Sequence, residues 1–301
     1  MRKHIIYSVE LDGLIPRMSS LTRLNPEGYF IQPMIDRAGH RVVFWGKAEG
    51  ETGFNIWICA TDGTQRLKLT EDRAISGHPF WSADGRQIVY FSSVGASDTT
   101  DWEMANQFGV DRPPRNLWIM DRDGGNRRRL TTGPYTDERP CLSPNGREIV
   151  FVSNRSGHLN LWRLEPETDA LTQLTDHKGL DYRPIFSPDG QWLAFFSDDN
   201  PQNRHDLCLL ELGTGEVYWP VPQGLFKWIH GAFWLPDGDT ILFHAKPVNG
   251  PVALWTFRMS SGRIDRLDLP GLPTYAHGSV DRNLSVLIFD SSFEPDPLPA
   301  L

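Results

Sequence analysis

One short pattern, written five times, limits what this chain can fold into more than any other feature. Asp36-Arg37-Ala38-Gly39 precedes Val42-Val43-Phe44, Asp84-Gly85 precedes Ile88-Val89-Tyr90, and Asn145-Gly146 precedes Ile149-Val150-Phe151. Asp189-Gly190 precedes Leu193-Ala194-Phe195, and Asp237-Gly238 precedes Ile241-Leu242-Phe243. Each copy reads as a β-hairpin, because glycine supplies the positive φ of a tight turn and the flanking residues alternate as half-buried strands do. The turn glycines lie 46, 61, 44 and 48 residues apart, and Asn283 of a weaker sixth copy follows after 45 more. A period of this length implies a solenoid or a propeller.

A second strand pair follows each hairpin, led by Ile56-Trp57, Leu117-Trp118, Leu161-Trp162, Leu207-Cys208 and Leu254-Trp255. Three units end on Leu-Thr, at 69–70, 130–131 and 174–175. Four antiparallel strands per repeat make one propeller blade. The sixth copy, from Ala276-His277-Gly278 through Val286-Leu287-Ile288-Phe289, lacks its outer strands, and Ile5–Glu10 with Leu21–Leu24 matches that missing half. The expected architecture is all-β: a closed six-bladed β-propeller of four-stranded blades, forming a single domain over 1–301. Its composite blade takes outer strands from 1–25 and inner strands from 275–293. The long second spacing reflects an insertion at about 95–115, a lid over the channel or a dimer contact.

The repeat, with its Ser-Pro-Asp-Gly turn and Leu-Trp strand, resembles the TolB-like propellers of the WD40-like class. The best copies are Arg183-Pro184-Ile185-Phe186-Ser187-Pro188-Asp189-Gly190 and Arg139-Pro140-Cys141-Leu142-Ser143-Pro144-Asn145-Gly146.

Composition removes several function classes. Thirty Lys plus Arg face 38 Asp plus Glu, for a net charge of −8, so nucleic acid is not an expected partner. No apolar run approaches the roughly 20 residues that span a bilayer. Glu10 and Asp12 interrupt the basic start before a signal-like apolar stretch develops, so the expected location is cytoplasmic. Cys59, Cys141 and Cys208 read as reduced core thiols. The recurrent Trp57, Trp118, Trp162 and Trp255 read as wedges between blades.

Function must then come from departures from the repeat. Seven residues before each turn glycine, where the innermost strand of a blade meets the channel mouth, stand Gln32, His78, Arg139 and Arg183. His230 lies eight back in blade five, and His277 lies six before Asn283. Imidazoles converging on a narrow axis suit a divalent metal, with Gln32 as an oxygen ligand. Opposite them, Arg139 and Arg183 offer two guanidinium forks for carboxylates, unless they pair with Asp137, Glu138 or Asp181. Such a site suits a small anionic saccharide. Tyr182, Trp228 and Tyr275 in the inter-blade segments, and Trp102 in the insertion, are candidate substrate contacts. His4, His40, His158, His177 and His205 read as solvated turn histidines, and His244 as structural.

His230 before Phe233-Trp234-Leu235-Pro236-Asp237-Gly238, followed a blade later by His277, also resembles the histidine-led strands of oligogalacturonate lyases. That resemblance implies Mn held by His78, His230, His277 and Gln32, with Arg183 or Lys227 as the base in a β-elimination of uronate-containing oligosaccharides. Arg139 would then hold a second carboxylate and Tyr182 a hydroxyl. The alternative is a propeller without chemistry whose mouth grips a protein or peptide.

Overall fold

The computed structural model describes residues 5–12, 15–71, 74–93, 114–200, 204–267 and 277–291. Those residues form six four-stranded antiparallel sheets arranged as the blades of a ring. First in the chain come β1 (Ile5–Asp12) and β2 (Ile15–Arg23). Blade one is β3 (Gly28–Ile35), β4 (Arg41–Ala48), β5 (Asn55–Ala60) and β6 (Leu67–Lys68); blade two is β7 (Ser76–Trp81), β8 (Gln87–Ser92), β9 (Asn116–Asp121) and β10 (Arg128–Arg129). Blade three is β11 (Asp137–Leu142), β12 (Ile149–Ser153), β13 (Asn160–Glu165) and β14 (Ala170–Gln173). Blade four is β15 (Asp181–Phe186), β16 (Trp192–Ser197), β17 (Asp206–Glu211) and β18 (Val217–Tyr218). Blade five is β19 (Phe226–Trp234), β20 (Thr240–Pro247), β21 (Ala253–Arg258) and β22 (Arg263–Leu267). The last sheet runs β2-β1-β24-β23, with β23 (His277–Val280) and β24 (Val286–Ser291), so strands from opposite ends of the chain share one blade. The insertion expected at 95–115 lies almost wholly outside the described residues.

The repeat's small motifs each have a physical task. In the Ser187 turn, Ser187 Oγ donates to Asp189 Oδ1 (2.5 Å), while the amides of Gln191 and Trp192 donate to Asp189 Oδ1 and Ser187 Oγ. The Ser82 and Ser143 turns repeat that pattern. The Leu-Thr endings are latches: Thr70, Thr131 and Thr175 each accept, at 2.9 Å, the amide of a residue on the third strand of the same blade. Without that acceptor a buried N–H would go unsatisfied where the fourth strand ends.

The core is circumferential rather than central. One buried cluster joins blades three to five, a second blades one to three, a third blades five and six, and a fourth blade one and the composite blade. Trp57, Trp118, Trp162 and Trp255 pack against these clusters from their partly exposed sides. Indoles also bridge blades directly: Trp81 Nε1 donates to the Met34 carbonyl at 3.0 Å, and Trp234 Nε1 to the Ile185 carbonyl at 3.3 Å. The cysteines are free and buried, and burial pushes the Cys59 and Cys141 thiols up to about 12, so they pack rather than react. Among the described residues no helix is long and apolar enough to cross a membrane.

Candidate functional site

The innermost strands carry one shared irregularity, and it builds the site. In blade one Ile31 pairs with Trp45 and Met34 with Val43, so Gln32 and Pro33 together face a single partner residue. The same two-against-one bulge holds His78-Pro79, Arg139-Pro140, Arg183-Pro184 and Gly231-Ala232. Its first residue takes a left-handed backbone: φ is 52° at Gln32, 49° at His78, 53° at Arg139, 56° at Arg183 and 60° at Gly231. Glycine adopts this without penalty, whereas each of the four side-chain-bearing residues costs about 1 kcal/mol or more. The proline that follows has no N–H to waste in the broken ladder.

These bulges line one axial vestibule. Gln32, His78, Arg139 and Arg183 meet there with the prolines that follow them, and Gly231 and Gly278 complete the ring in blades five and six. Its volume is about 110 Å³, room for a carboxylate-sized group and a few waters. Phe80 and Ile185 form a waist, below which the channel widens again toward the hairpin turns.

Two cations on the wall are held by different means. Arg139 Nε lies 3.6 Å from Glu138 Oε1, and its guanidinium sits 5.7 Å from the Tyr182 ring centre. Glu138 also binds Arg115, and all three side chains are buried or nearly so. Arg183 feels Asp290 from the composite blade: burial presses its guanidinium below the ordinary value, while Tyr182 and Asp290 favour the charged form. Asp290 Oδ2 accepts the Gln32 amide at 2.7 Å. Asp290 was not anticipated from sequence. Its signal is a carboxylate at a place where Trp45, Phe91, Val152, Phe196 and His244 stand in the other blades.

The remaining sequence candidates divide. Gln32 spends its side-chain oxygen on Trp45 Nε1 (2.8 Å), and the His78 ring sits edge-on to Trp45 and Phe91, 5.0 Å from each. His230 precedes the bulge, pairs with His244 across the sheet, and turns its ring toward Trp228 (5.1 Å) and Phe196 (6.4 Å). The one-residue offset carries it off the channel wall, because successive side chains point to opposite faces. In blade six Gly278 lines the vestibule; β23 begins at His277, whose side chain is outside the described residues. Trp102 and Tyr275 are outside them too. Lys227 is exposed in a separate bulge of β19. Tyr182 is buried, stacked on Phe196 at 5.3 Å with the His205 ring edge-on at 4.9 Å, and burial raises its hydroxyl to about 12.

Two histidines expected in solvent are part of the structure. His177 Nε2 lies 3.0 Å from Asp181 Oδ2 and Nδ1 lies 3.8 Å from Asp199; the Asp181 hydrogen bond raises its pKa above the ordinary value. Burial lowers that of His205.

The described residues do not by themselves assemble a divalent-metal site, and the His277 side chain is outside them. Among the described residues no three His, Cys, Asp or Glu side chains are grouped as an ion requires, and the Gln32 oxygen is already accepting. What the site offers is two guanidinium groups from adjacent blades, an acid across the axis, and apolar walls.

Six four-stranded blades around a polar axial vestibule define a β-propeller. The fold is TolB-like, and comparisons with known proteins agree. A TolB homologue of Chlorobium luteolum is 29% identical over 153 residues, 51% of this chain; the match spans only 29% of that relative's length. The structure of a putative TolB from Agrobacterium tumefaciens superposes with a TM-score of 0.69 at 17% identity, covering 97% of this chain and 99% of that one. An oligogalacturonate lyase in complex with manganese gives 0.61 at 16% identity, covering 94% and 78%. At such identities the solved structures speak for the fold. No protein-family profile matches the chain.

Proposed function

We propose that this propeller is a receptor for a carboxylate-bearing ligand, whose anionic end enters the vestibule and is clamped by Arg139 and Arg183. The observation that carries the reading is the backbone: two arginines from neighbouring blades keep left-handed conformations on the channel wall, where Gly231 adopts the same geometry without strain. Paired guanidinium forks recognise carboxylates bidentately and stay charged at every physiological pH. A pocket of this size takes the end-group and leaves the rest of the ligand at the mouth. An acidic saccharide and the carboxyl end of a peptide share that chemistry, and a cytoplasmic ligand of either kind is consistent with it.

The test is calorimetric titration with digalacturonate, with a short peptide acid, and with the same peptide as its amide. Binding of either acid, lost in Arg183→Gln and in Arg139→Gln, supports the clamp, and the acid that binds identifies the source. No binding of any carboxylate by the folded wild type sinks it. A lyase reading stands second, favoured by His78 in the same ring as the arginines. It requires new unsaturated ends, followed by ultraviolet absorbance, when uronic oligosaccharides are incubated with the protein and added Mn.

A further inference from the structure

The other mouth of the channel departs from the repeat in its own way. The residue pair that opens each hairpin turn is Ser82-Ala83, Ser143-Pro144, Ser187-Pro188 and Leu235-Pro236 in blades two to five, but Asp36-Arg37 in blade one and Asp281-Arg282 in blade six. These two blades are neighbours in the ring, so both arginines arrive at one place. Arg37 and Arg282 line a cleft of about 430 Å³ together with Arg41 and His40 of the blade-one turn and Arg122 of blade two. The same two arginines also border the apolar turn-side end of the channel, walled by Phe80, Trp81, Phe186 and Trp234.

The acids nearby are already engaged within their own turns. Asp36 Oδ1 accepts the amides of His40 and Arg41, and Asp84 Oδ1 accepts Ser82 Oγ and the Arg86 amide. Asp281 accepts the amides of Asn283, Ser285 and Val286 and the Ser285 hydroxyl. Replacing Ser by Asp in these two turns therefore keeps the turn closed, while replacing Pro or Ala by Arg adds nothing to it. Among the described residues, the guanidinium groups of Arg37, Arg122 and Arg282 make no hydrogen bond or ion pair. Four arginines against Asp36 and Asp84 in the lining, with Asp281 beside Gly39, still leave this cleft positive on a chain whose net charge is −8.

We infer that the cleft between blades six, one and two is an anion site for an organic phosphate, the phosphate held by Arg37, Arg282 and Arg122 and the apolar body lying in the turn-side mouth. A phosphate monoester near pH 7 carries close to two charges and three acceptor oxygens, which matches three guanidinium groups reaching in from three blades. A carboxylate, with one charge and two oxygens, leaves one of them unused. This site lies five residues further along the inner strands than the vestibule, roughly 15 Å away at the rise of a strand, and does not depend on it.

The experiment is titration calorimetry at low ionic strength with phenyl phosphate, inorganic phosphate and benzoate, on the wild type, Arg37→Gln/Arg282→Gln and Arg139→Gln/Arg183→Gln. The site predicts phenyl phosphate binding more tightly than the other two probes. It predicts a loss of roughly tenfold or more for each guanidinium removed at the turns, and no change in the vestibule variant. Phenyl phosphate that fails to bind, or binds the turn variant as well as the wild type, overturns the site. Equal affinity for inorganic phosphate overturns the organic body, and loss in the vestibule variant moves the anion to the other mouth. Circular dichroism of each variant shows whether the propeller is intact.

Discussion

Blades one to four and blades five and six treat the same channel wall differently. The first arc carries Gln32, His78, Arg139 and Arg183, and the second carries Gly231 and Gly278. In blade five the bulge has the same left-handed geometry as in the first arc, so glycine would satisfy the fold at any of these positions. The polar arc therefore holds its side chains against a local conformational cost, and the bare arc leaves room opposite them. A recognition surface facing open space is what an asymmetric ligand needs from a ring of near-identical blades.

The largest expected effect lies beneath the polar arc. Glu138 is buried between Arg115 and Arg139, so Glu138→Ala leaves buried cations uncompensated and should cost about 3–5 kcal/mol in urea unfolding. A cost below 1 kcal/mol would mean that the arc does not rest on this acid. Arg183→Gly comes next: it should abolish carboxylate binding while changing stability by no more than about 1 kcal/mol, because relief of backbone strain offsets lost packing. The reverse change, Gly231→Arg, should destabilise by about 1–2 kcal/mol without creating a second clamp, and tighter binding would show that the bare arc is not required.

Smaller effects come from the rim. Thr131→Val removes the acceptor for the Leu117 amide and should cost about 1–2 kcal/mol, read as a lower melting temperature. His177 gains a partner on folding, so its pKa is raised, with the Asp181 hydrogen bond the main cause. Its contribution is full below the ordinary histidine pKa of about 6.5 and fades as pH rises through the raised folded value. The stability difference between the wild type and His177→Gln should therefore shrink as pH rises from 6 to 9; a difference that grows would reverse the assignment.

The blades were legible because they are built from local signals: alternating strands, a glycine turn in five of them and a tryptophan at a fixed offset in four. It also reached Gln32, His78, Arg139 and Arg183, since counting back from the turn follows one strand. The same count placed His230 in the ring although it stands one residue before Gly231, which occupies the bulge; His277 has the same spacing before Gly278, and its side chain lies outside the described residues. A strand reverses its side chains at every residue, and an offset of one exchanges the channel for the space between blades. Asp290 was illegible for another reason: it comes from a second strand, more than 250 residues from the amide it holds, and no periodic pattern within a blade points to the blade beside it. Glu138 was among the acids the sequence offered to Arg139, and it is the one that lies beside it, 3.6 Å away; Arg115 was hidden, since only packing shows which arginines share a buried acid.

Sharing a blade between β1 and β24 has a consequence for synthesis. Blades one to five can each form as they leave the ribosome, for their strands are contiguous. The ring cannot shut until β24 has emerged and found β1, and β24 brings Asp290, which takes the Gln32 amide and faces Arg183. The turn-side cleft likewise waits for Arg282. Nascent chains are thus blind to ligand for nearly the whole of translation, and both mouths become competent together at the closing step.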